Sequence, residues 1–189
     1  MKVLFAFFLL IIASHSFGQG IKVYAWEDAI HADPDSVLGI TFEKMKLTEL
    51  PEKLKQYTAL KVLNLEKNKL TKLPDFLGDF TNLEELNAGK NDLESFPIQV
   101  CRLRKLKRLI LNRNTFESIP ECISYTESLE YIDLYDTPIR SLPEALTTLK
   151  NLKEMDLSGI RFSPTFQEKW IRKLPNVKLI MDAPCNCME

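Results

Sequence analysis

The sequence predicts an α/β solenoid, a curved stack of short coils. A parallel β-sheet lines its concave side, and loops or short helices line its convex side. Three observations carry this prediction. An apolar frame of Leu60, Leu63, Leu65, Leu70, Leu73, Leu77 and Phe80 starts again at Leu83, Leu106, Leu129 and Leu152, always 23 residues on. A fixed period of about 20–50 residues marks a stacked architecture in which each unit buries its apolar face against its neighbours. The first half of each unit alternates apolar and polar residues with the period of two that a strand requires. The second half carries a proline, at Pro51, Pro74, Pro97, Pro120 and Pro143. Proline gives a central strand no donor, so it belongs on the returning side of the coil.

The chain opens with one cation, Lys2, an apolar run from Val3 to Ala13 and a short polar stretch with Ser16 and Gly18. This is the layout of a secretory signal peptide, residues 1–18, with Gln19 the first residue after the cut. The apolar run is too short to cross about 30 Å of hydrocarbon, so no membrane insertion is expected once the signal is removed. Export implies a secreted, periplasmic or cell-surface protein. Of 189 residues, 18 are then lost and 171 remain, the size of one domain with a sizeable core. Without Lys2 there are 24 Lys and Arg against 26 Asp and Glu. That balance gives no pull toward nucleic acid or an anionic membrane.

Residues 19–36 read as an N-terminal cap. Ile21 and Val23 alternate with polar residues as a short strand does, and Ala25 to Ala32 reads as a short helix with Trp26, Ala29 and Ile30 on one face. Asp33-Pro34-Asp35 ends it. Trp26 is the expected plug over the open end of the first unit.

Residues 37–174 hold six repeats of about 23 residues, starting at Val37, Leu60, Leu83, Leu106, Leu129 and Leu152. The sixth departs from the pattern. Ser163-Pro164 is a helix start, and Phe166, Trp170 and Leu174 form one apolar face at helical spacing. Residues 175–189 supply a closing strand, Val177 to Met181, and a tail.

The pattern L-x-x-L-x-L-x-x-N-x-L followed by L-P-x-x-L-x-x-L resembles the leucine-rich repeat family. The ending resembles that of short secreted bacterial members. The resemblance implies a rigid concave sheet that binds a partner. It also implies a structural ladder at the turn after each strand, here Asn68, Asn91 and Asn114. An amide donates and accepts, so each Asn is suited to backbone groups left free where the chain bends inward. Met45, Thr137 and Ile160 interrupt the ladder toward its ends.

Register places the third, fifth, seventh and eighth residues of each repeat toward the concave side. Two features stand out. One is a basic row at the eighth position, Lys44, Lys67, Lys90 and Arg113, with Glu43 and Glu66 beside it as partial neutralisers. The other is a patch of Arg108, Ile110, Tyr131, Asp133 and Tyr135 across two adjacent repeats, rich in the residue types that anchor interfaces. In the closing strand the same counting puts Leu179 and Met181 on this face.

Cys101, Cys122, Cys185 and Cys187 allow three connectivities, and the sequence does not choose among them. Cys101 and Cys122 lie in adjacent repeats but two positions apart. A bridge needs Cα atoms within about 7 Å, so a disulfide and a small buried filler both stay open for this pair.

Catalysis has little support. His31 is the only histidine after export, remote in sequence from every cysteine, and the chain has six glycines and no phosphate-cradling loop. A C-x-C pair alone is a weak metal signal. No enzyme, cofactor or metal is expected. The sequence reads as a binding module for a protein or peptide, with a cell-envelope glycan or a structural spacer as the alternatives.

Overall fold

The computed structural model describes residues 20–184. The signal peptide expected at 1–18 and the pair Cys185 and Cys187 lie outside the described residues. Eight three-residue strands form one parallel sheet in chain order, among the described residues. They are β1 (Val23–Ala25), β2 (Gly39–Thr41), β3 (Val62–Asn64), β4 (Glu85–Asn87), β5 (Arg108–Ile110), β6 (Tyr131–Asp133), β7 (Glu154–Asp156) and β8 (Lys178–Ile180). From β2 to β7 each residue pairs with the one 23 positions on, as in Ile40 with Leu63 and Leu86 with Leu109. The sequence period is therefore the sheet register.

The ladder runs past the strands. Lys44, Lys67, Lys90, Arg113 and Asp136 each donate a backbone N–H to the next coil, at 2.8–3.1 Å. The chain then turns inward. All five sit in the left-handed region, with φ between 49° and 62°, and Gly159 follows at 78°. That conformation favours glycine, yet only the last coil has one.

Among the described residues, five 3-10 helices return along the convex side, for example Glu52–Gln56 and Asp75–Asp79. Each begins just after the repeat proline, whose fixed φ suits the entry. The frame residues of all six repeats form one continuous buried core.

Both ends are closed. Helix α1 spans only Trp26–Ala29, shorter than expected, and Asp33-Pro34-Asp35 enters a further 3-10 turn whose Asp33 side chain accepts from the Asp35 N–H. Trp26 stacks on Phe42 at 4.9 Å, and Tyr57 ties the cap down through a 2.9 Å hydrogen bond to the Ala29 carbonyl. At the other end α2 (Pro164–Lys173) starts where expected. The Ser163 hydroxyl accepts from the Phe166 N–H, Pro164 occupies the first turn, and Trp170 is buried.

The closing strand corrects the sequence reading by one residue. Lys178 pairs with Glu154 and Ile180 with Asp156, so these two occupy the concave positions, not Leu179 and Met181. Leu179 instead packs on the core. The cause is α2, whose insertion breaks the 23-residue spacing that the earlier strands obey.

Cys101 and Cys122 are bridged, with Cα atoms 5.6 Å apart. Cys101 is near the end of its 3-10 helix and Cys122 near the start of the next. The winding of those turns absorbs the two-position offset.

Candidate functional site

The three rows of site residues have different partners. Asn68, Asn91 and Asn114 are buried between coils. The Asn91 amide donates to the carbonyls of Leu65 and Ala88 at 3.0 and 3.1 Å and accepts from the Leu70 N–H at 3.1 Å. Asn68 and Asn114 repeat the arrangement one coil away on either side. Each asparagine thus serves its own coil and the preceding one.

The basic row is interleaved with carboxylates. Lys44 and Lys67 both reach Glu43, at 3.1 and 3.2 Å, while Lys90 reaches Glu66 at 2.7 Å. Lys44 and Lys67 hold the Glu43 carboxyl below the usual range. Burial pushes the Glu66 carboxyl up, but Lys90 and Lys67 outweigh it and the net direction is down. Arg113 lies over the Tyr135 ring at 5.2 Å and within 3.5 Å of Asp136. The row is a zipper of alternating charge, and its left-handed backbone sets where it lies.

The aromatic patch straddles coils 4 and 5. The Arg108 guanidinium lies 4.1 Å above the Tyr131 ring. Burial, then the nearby Asp133 carboxylate, push the Tyr131 hydroxyl up to about 12. Beside this pair is an open hollow of about 310 Å³, edged also by Glu154 and Lys178. The patch residues are therefore brought together. Ile110 and Asp133 are in-register neighbours on β5 and β6.

Register along the chain marks the fifth position as a contact row but does not reveal its structural work. Its side chains cap the strand exits. The Thr41 hydroxyl accepts from the Glu43 N–H, and Asn64, Asn87, Asp133 and Asp156 accept in turn from the N–H two residues on, at 2.9–3.2 Å. Among the six repeats, Ile110 alone has no acceptor to offer at this position. The recurrence of Thr, Asn and Asp at one register position was the available signal, because these residues bond their own backbone two residues on.

Asn112 crosses from coil to coil in the gap left by Ile110. It donates to Asp133 at 2.6 Å, and its carbonyl oxygen is buried without a hydrogen-bond partner. A Cβ at Gly89 would come within 2.5 Å of that oxygen, which explains the glycine there. Burial raises the Asp133 carboxyl above its usual range, and the charge of Asp156 adds to it.

The profile of a leucine-rich repeat region matches residues 38–181, most of the chain. The chain is a leucine-rich repeat protein. No curated protein matches it. Leucine-rich repeat regions typically bind proteins and are generally scaffolds rather than enzymes. Among the described residues of this leucine-rich repeat protein, no helix is long and apolar enough to cross a membrane, and no group of three or more His, Cys, Asp or Glu is placed to hold a metal ion.

Proposed function

We propose that this leucine-rich repeat protein is exported and presents its concave sheet to a protein or peptide partner. The contact centres on Arg108, Ile110, Tyr131, Asp133 and Tyr135. The observation that carries the reading is the clustering of large side chains on β5 and β6. Two tyrosines, each with a guanidinium on its ring, stand beside Ile110, the fifth-row residue of the six repeats whose apolar side chain forgoes the cap. Tyr and Arg are the commonest interface anchors, and a rigid sheet binds without an ordering cost. The guanidiniums already on both rings favour a protein partner over stacked sugars. Export is supported by the Cys101–Cys122 bridge, since disulfides persist in oxidising compartments.

The test is capture from the source organism's envelope and medium, with the chain from Gln19 beside its Tyr131→Ala/Tyr135→Ala variant. A protein held by the first and lost by the folded variant is the expected result. Equal retention by both removes the patch as the site.

A further inference from the structure

The fifth-row cap needs an acceptor, not a charge. Asn64 and Asn87 supply it as neutral amides, at 3.0 Å each. Coils 5 and 6 supply it with Asp133 and Asp156, which face each other in register on β6 and β7. Like charges directly opposite on a sheet destabilise it. Both aspartates do the work of asparagine at an electrostatic cost that asparagine avoids. The caps therefore do not account for the negative charge.

The charge distribution extends the point. In coils 1–4 the second to eighth residues include seven bases and four acids, a net of +3. The same segments of coils 5 and 6, with 178–182, include two bases and six acids, a net of −4. Both bases there are paired: Lys153 with Glu130 at 2.5 Å and Lys178 with Glu154 at 3.1 Å. The change of sign falls at the aromatic patch. There Arg108 and Arg113 of coil 4 reach onto the tyrosine rings of coil 5, a local example of cations received on this face.

We infer that the C-terminal part of the concave face, β6 and β7 with Asp133 and Asp156 at its centre, docks a basic peptide segment of the partner. This rests on the concave-face reading and names its chemistry. A lysine or arginine of the partner relieves the Asp133–Asp156 repulsion and is matched by the net charge of the surrounding coils.

The test uses fluorescein-labelled hexalysine, with hexaglutamate as control, titrated at low and moderate salt into the chain from Gln19. Asp133→Asn/Asp156→Asn keeps both caps and, by removing a repulsion, keeps or raises the melting temperature, so lost binding is not lost folding. Hexalysine is expected to bind the unaltered chain, more weakly as salt rises. The double Asn variant should lose about tenfold or more in affinity. Glu43→Gln/Glu66→Gln, which removes two acids from the other end, should change affinity less than about twofold. Equal binding by the unaltered chain and the double Asn variant overturns the inference. So does an equal loss in the Glu variant, or tighter binding of hexaglutamate. None of these outcomes touches the concave-face reading, which falls only if Tyr131→Ala/Tyr135→Ala keeps the captured partner.

Discussion

Coils 1–4 and coils 5–6 share one register and one core but are held together differently. In the first group, three buried asparagines each tie a coil to the one before it. A disulfide joins coils 3 and 4, and a Glu–Lys zipper runs along the strand exits. In the second group Thr137 takes the ladder position, and its hydroxyl reaches only the Leu134 carbonyl of its own coil. Ile160 follows with no polar group at all. On the concave face there, the Asp133 and Asp156 carboxylates oppose each other. Stabilising devices are concentrated where lysines and carboxylates interleave along the strand exits. The half-buried tyrosines and the net negative charge stand where those devices end.

The difference is open to direct tests on stability. Cys101→Ala/Cys122→Ala has the largest expected effect. Opening a loop of 21-residue separation costs about 3 kcal/mol by loop entropy, read as a shift in the denaturant midpoint against the unaltered chain. A loss under roughly 0.5 kcal/mol leaves the first group without this staple. Next is a matched pair. Asn91→Ala strands two carbonyls and an N–H between coils, and should cost about 1–3 kcal/mol. Thr137→Ala removes one bond within a coil and should cost about 1 kcal/mol or less. Equal losses from the two changes erase the contrast between the groups.

The smallest effect has the opposite sign. Asp133→Asn should stabilise the chain at neutral pH, by less than about 1 kcal/mol. The Asn112 amide can turn so that its unpartnered oxygen accepts from the amide introduced at position 133. The pH dependence follows from linkage. The folded chain holds its Asp133 proton to higher pH than the unfolded chain does, because burial raises this carboxyl. The destabilisation is therefore fully present above the raised value and fades as pH falls toward the ordinary aspartate range. The advantage of Asp133→Asn should fade with it. An advantage independent of pH assigns the effect to something other than that carboxylate.

Much of the fold was legible from residue spacing. Val37, Leu60, Leu83, Leu106, Leu129 and Leu152 fixed the register of six strands, since a stack of identical coils pairs residues one period apart. Asn68, Asn91 and Asn114 were legible as a row, as were Ser163-Pro164 as a helix start and Trp170 as core. The closing strand was not, because α2 interrupts the period and one residue of slip exchanges the two faces. The candidate site was legible as a cluster but not in its internal roles. Asp133 reads as a contact residue along the chain, yet in three dimensions it also caps a strand exit and faces Asp156.

Residue spacing along the chain specifies the solenoid, its period, the family and which residues share a row. These depend on apolar periodicity and on backbone rules that act within one coil or between identical neighbours. The tertiary structure decided what each row does. Left-handed turns place the basic row among carboxylates, Ile110 leaves a gap that Asn112 crosses, and the winding of two 3-10 helices brings Cys101 to Cys122. Those outcomes depend on distances of a few ångströms between side chains of different coils, and a 23-residue period does not encode them.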